Sequence, residues 1–163
     1  MRVRTALLAL GFALLPWIAL AFAPAVPLVP NPRLTPGATD PAVTQATIAQ
    51  TICVSGYTAR VRKVGSAEKR EVFAEYQIDP KSDHFEVDHL ISLEIGGSND
   101  IRNLWPQSYT TRPWNAHVKD RLENRLRRLV CSHALTLEDA QRAIVTDWEA
   151  AYVRYVRATV ATR

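Results

Sequence analysis

Asp88 and His89 stand side by side and are followed, in order, by Gly96-Gly97, Asn103-Leu104, and Asn115, His117 and Lys119, a pattern of D-H-x6-G-G-x5-N-L and then N-x-H-x-K. A carboxylate is a hard oxygen donor of the kind divalent cations take. An imidazole, with an ordinary pKa near about 6.5, can be neutral at physiological pH and still accept a proton. An asparagine amide can tie a loop to backbone through both its donor and its acceptor. Taken singly, each has a plainer reading: an Asp-His pair as a cap or surface pair, Gly-Gly as a turn, Asn103 as an Asx turn, His117 as a solvated helix residue. Their order, on segments that read separately as strand, loop, strand and helix, is what carries information.

The elements that must position these residues follow from periodicity. From Phe85 to Leu93, Phe85, Val87, His89, Ile91 and Leu93 alternate with Glu86, Asp88, Leu90 and Ser92, which predicts a half-buried strand. Gly96 to Asp100 is turn chemistry, and Ile101 to Pro106 predicts a short second strand that the proline ends. Pro113 predicts the start of a long amphipathic helix, Trp114 to Val130, with Val118, Leu122, Leu126, Leu129 and Val130 inward. Its outer face is basic: Lys119, Arg121, Arg125, Arg127 and Arg128 against Asp120 and Glu123. Upstream, Ser66 predicts the N-cap of a short helix bearing Val72, Phe73 and Tyr76 and closed by Asp79-Pro80. Downstream, Thr136-Leu-Glu-Asp139 resembles a capping box opening a last helix through Ala140, Ile144, Val145, Trp148 and Tyr152. Alternation sends Asp88 and His89 to opposite faces, so both serve one phosphate only if the chain bends there.

The motif resembles that of the HNH nucleases, whose ββα-metal fold is a strand, a looped second strand and a helix around one divalent ion. The similarity covers Phe85 to Arg128. Thr51 to Tyr57, Asn103 to Pro106 and Lys119 to Asn124 resemble segments of small exported bacterial HNH proteins. The resemblance implies a small single α+β domain, with the ββα-metal motif packed against additional helices. It implies His89 as general base, Asp88 as metal ligand and Asn103 as the residue that orients the imidazole. The third ligand is Asn115 or His117. Two residues apart on a helix diverge by about 200 degrees, so both cannot face the ion, and Asn115 shares a face with Lys119. Arg102, Lys119 and Arg121 are the expected phosphate contacts. The cofactor would be one divalent ion (Mg2+, Mn2+, Zn2+ or Ni2+). The partner would be DNA, or RNA, cleaved with low sequence specificity. The alternative is a non-catalytic nucleic-acid-binding or envelope-associated module on the same scaffold. The C-x-x-C pairs that bind a structural zinc in many HNH proteins are absent, and a Cys53–Cys131 disulfide would replace that zinc.

At 163 residues, 47% hydrophobic and 22% charged, the chain is neither collagen-like, nor coiled coil alone, nor disordered throughout. Its 20 Lys+Arg against 16 Asp+Glu leave +4, which suits a polyanion without establishing one. Met-Arg-Val-Arg followed by the uncharged run Ala6 to Ala23 is an export signal. Ala21-Phe22-Ala23 has the small-x-small form of a cleavage site, although Pro24 hinders cleavage there. The run would span about 27 Å, near a bilayer core, so residues 1–23 are a signal peptide or an uncleaved anchor. The protein is then secreted or periplasmic, or anchored facing outward, with the membrane as a partner only if the leader stays attached. Prolines 24, 27, 30, 32, 36 and 41 read as an extended linker over 24–41, leaving 42–163 as one folded domain with the core motif at 85–128. Cys53 and Cys131 fit a disulfide in an oxidising compartment, or two buried thiols; closing that loop would stabilise by about 4 to 5 kcal/mol. Trp105, Trp114 and Trp148 read as base-stacking or core residues, and His84 and His133 receive no role.

Overall fold

The computed structural model describes residues 29–157, so the leader and its cleavage site lie outside the described residues. The order is α1 (Tyr57–Val61), α2 (Ser66–Glu75), β1 (Phe85–His89), β2 (Leu104–Ser108), α3 (Ala116–Cys131) and α4 (Leu137–Tyr152), with a π-helical turn at Val153–Arg157. Short 3-10 turns occupy Ile48–Gln50, Leu93–Ile95 and Ile101–Asn103. The result is an α+β domain in which one antiparallel ribbon, β1 against β2, is followed by a helix.

The ribbon pairs Phe85 with Ser108, Val87 with Pro106 and His89 with Leu104. β1 stops at His89 rather than at Leu93. Beyond it, the Leu90 N–H still reaches the Asn103 carbonyl, but the Ile91 N–H is taken by the Asn103 side chain instead of a strand partner. Nor is β1 half-buried, since Val87, Asp88 and His89 are all buried. α2 covers one face, where Val72, Val87 and Leu104 form a small apolar cluster, and α3 reaches the other through Lys119. Pro106 does not end β2, which runs on to Ser108; in a two-stranded ribbon each strand has a free edge where a missing N–H is tolerated.

The main core lies between α3 and α4. Val118, Leu122, Leu126 and Val130 form a stripe at i, i+4 spacing on α3, facing Ala140, Ile144, Trp148 and Ala151 of α4, with Ile48, Ile52, Ile91 and Ile95 closing the ends. Each fully buried Leu or Ile contributes about 1.5–3 kcal/mol. A Cys53–Cys131 disulfide staples the segment before α1 to the end of α3. Among the described residues no helix is long and apolar enough to cross a membrane.

Residues 31–40 are not a free linker. Thr35 is buried and its hydroxyl donates to the Leu104 carbonyl at 2.7 Å. Gly37 N–H bonds Arg102 O, Asp40 N–H bonds Gly96 O, and Thr39 bridges Gly97. The domain therefore begins well before Ala42, because this segment supplies backbone partners to the motif loop.

Candidate active site

β1 delivers two side chains to two different faces. Glu86 and Asp88 stand opposite Gln107 and Trp105, whereas Val87 and His89 stand opposite Pro106 and Leu104. By register, the ladder keeps alternating through His89.

On the Asp88 face, Lys119 Nζ donates to Asp88 Oδ2 at 2.6 Å and to the His89 carbonyl at 2.7 Å. Its remaining proton goes to Glu123 Oε1, one turn further along α3, and Glu123 Oε2 accepts from Ser92 Oγ at 2.8 Å. Lys119 is wholly buried, with Asp88 and Glu123 nearly so. A charge survives there because every ammonium proton has an oxygen. Burial by itself lowers the Lys119 pKa, but Asp88 and Glu123 outweigh it and hold the group above the ordinary lysine range. Burial raises the Glu123 carboxyl above its ordinary range, with Lys119 opposing.

On the other face, the His89 ring is 1% exposed and its Nε2 lies 3.2 Å from Asn99 Oδ1. The same oxygen accepts the Lys63 N–H at 3.0 Å, and Asn99 Nδ2 donates to the Val61 carbonyl at 2.9 Å. These two backbone bonds decide which end of the amide is oxygen, so His89 must offer Nε2–H to it and Nδ1 is bare. Nδ1 is buried and bonds no described residue. Burial pushes the imidazole from 6.5 down to about 4; Asp88 opposes this and Arg62 adds to it. The bare Nδ1 is the ring's one site for a proton, and burial makes it a weaker base than a solvated imidazole.

Asn103 holds the loop behind this ring. Its Oδ1 accepts from Ile91 N at 2.9 Å, and its Nδ2 donates to Ile91 O at 2.9 Å and Ser98 O at 2.8 Å. The glycine pair has a steric reason: a Cβ on Gly97 would sit 1.7 Å from Ile91 O. Asn99 was legible only as a turn residue, because its role depends on the α1–α2 connector reaching over His89 from a distant part of the chain.

The expected third ligands have other partners. Asn115 is the N-cap of α3, accepting from Val118 N at 3.1 Å and donating to Thr111 O at 3.1 Å. Pro113 precedes it after a cis peptide bond and does not open the helix. His117 is exposed, 3.9 Å from Asp120 and tilted against the Tyr109 ring. With Asp88 Oδ2 held by an ammonium, Asp88, Asn115 and His117 do not fit a divalent ion. Among the described residues no three His, Cys, Asp or Glu side chains are arranged to hold one.

The basic residues divide similarly. Lys119 is internal and touches no phosphate from where it lies. Arg121 turns to α4, donating to Tyr152 OH at 3.1 Å and stacking over that ring. Arg102 is exposed but forked onto Asp100, at 3.0 and 2.8 Å. Arg62 and Lys63, exposed on the connector over His89, form no ion pair among the described residues. Trp105 and Trp148 are core residues and Trp114 meets Trp148 edge to face, so these rings serve packing. Comparisons with protein-family models, curated proteins and solved structures return no match to this chain.

Proposed function

We propose that the chain is an exported nuclease that hydrolyses phosphodiester bonds of nucleic acid, DNA in the first place, with His89 as general base. The observation that carries this is the neutral His89 ring, pinned through Nε2 by Asn99 and left with a bare Nδ1. In the step, Nδ1 takes a proton from water as its oxygen bonds phosphorus. The bond to the 3' oxygen breaks, and the departing oxygen takes a proton from solvent, leaving 5'-phosphate and 3'-hydroxyl ends. Arg62 lies between the two residues that Asn99 holds, close enough to influence His89, and with Lys63 it meets the charge that builds on the phosphate. Because His89 is 1% exposed, the ring must be uncovered before substrate meets Nδ1. Contacts of this kind are to phosphate, so binding is expected to weaken steeply with salt and to show little sequence preference. The Cys53–Cys131 disulfide suits an oxidising compartment.

The test is plasmid, single-stranded DNA and RNA cleavage by the exported protein, in chelator and in Mg2+, Mn2+, Zn2+ or Ni2+. His89→Ala should abolish cleavage while the circular-dichroism spectrum stays native; undiminished cleavage by that variant rejects His89 as the base. A second reading, nucleic-acid binding without turnover, is favoured by the burial of His89 and the engagement of Asp88 by Lys119. Salt-sensitive gel shifts without cleavage under every condition would select it.

A further inference from the structure

Lys119 Nζ sits in a cage made only of oxygens: Asp88 Oδ2 at 2.6 Å, the His89 carbonyl at 2.7 Å and Glu123 Oε1. Two carboxylates and a carbonyl are the ligand chemistry of a hard divalent ion. The residues come from the end of β1 and from one face of α3, where Lys119 and Glu123 are four apart. Ser92 Oγ, in the motif loop, fixes the second Glu123 oxygen at 2.8 Å. The ammonium uses all three of its protons on this cage, and its side chain is 0% exposed.

We infer that Lys119 is a built-in cation that fills the oxygen site between β1 and α3, so that the native chain takes no divalent ion at Asp88. An ion entering this cage would have to expel an ammonium whose side chain is 0% exposed. Until that left, it would face a like charge inside a region of low dielectric. Take the lysine away, and two buried carboxylates and a carbonyl remain with no positive partner, a site a divalent ion would then fill. The inference concerns ion binding and stands whether or not the chain cleaves nucleic acid.

The experiment is Mn2+ titration of the exported protein, followed by electron paramagnetic resonance and thermal melting. For the native chain, no saturable Mn2+ site and a melting temperature unchanged between chelator and Mn2+ are expected. A saturable site that disappears in Asp88→Asn would overturn the inference. Lys119→Ala should melt well below the native chain in chelator, gain one saturable Mn2+ site, and recover several degrees when Mn2+ is added. That gain should vanish when Glu123→Gln is combined with it. A folded Lys119→Ala that binds no Mn2+ would also overturn the inference. If Lys119→Ala folds only when Mn2+ is present, the result supports it. If it folds under neither condition, the native titration and Asp88→Asn decide alone.

Discussion

His89 shows how one side chain's surroundings set its chemistry. Its folded pKa of about 4 lies below its ordinary 6.5 because burial disfavours the imidazolium. The unfolded chain therefore binds the proton more readily, and the stability tied to the neutral ring is fully present above pH about 6.5 and lost as pH falls toward about 4. Unfolding free energies measured in denaturant across this window should fall with pH, and His89→Gln should flatten that part of the profile. Nitrogen NMR of labelled histidine should show Nε2 protonated and Nδ1 bare at neutral pH. A histidine next to an aspartate was legible as a candidate base; its tautomer was not. Nothing near it in the chain indicates that Asn99, itself held by Val61 and Lys63, would choose it.

At the scale of elements, the motif loop depends on fit and the helix start on capping. Gly97→Ala would drive a methyl into the Ile91 carbonyl, at 1.7 Å if nothing moved, and is expected to cost more than about 2 kcal/mol. Asn115→Ala, losing the cap of α3, should cost about 1 kcal/mol. Urea midpoints of the two variants would check the order. The helices α2, α3 and α4 were readable because their apolar spacing is local. Their starts were less so: Gly65 rather than Ser66 caps α2, and α3 begins at Ala116 rather than at Trp114. Thr136, by contrast, caps α4 as its sequence suggested, accepting from Asp139 N at 3.1 Å. Ends depend on where nearby backbone groups find partners, and those partners are often far away in sequence.

Across the whole molecule, two long-range ties matter. Reduction of the Cys53–Cys131 disulfide, which closes a separation of 78 residues, should lower stability by about 2–5 kcal/mol, visible as a drop in melting temperature with reductant. A chain starting at Ala42 should also melt below one starting at Val29, because it loses the Thr35 bond to Leu104 and the contacts of residues 37–40 with the motif loop. A proline-rich segment reads as linker because proline stops helices and sheets. It does not stop single hydrogen bonds to a neighbouring loop, which is how residues 31–40 join the domain.

The amino-acid sequence alone determined the strand-loop-strand-helix order and held the cysteine pair that the structure joins, since periodicity and turn residues act over a few neighbours. Which charge meets Asp88 was decided only by tertiary structure. Lys119 read as an outer, phosphate-facing residue, because a helix pattern tells which face a residue occupies relative to its own axis. It cannot tell that β1 approaches that face with a carboxylate and a carbonyl, nor that the ammonium ends on three buried oxygens instead of in solvent.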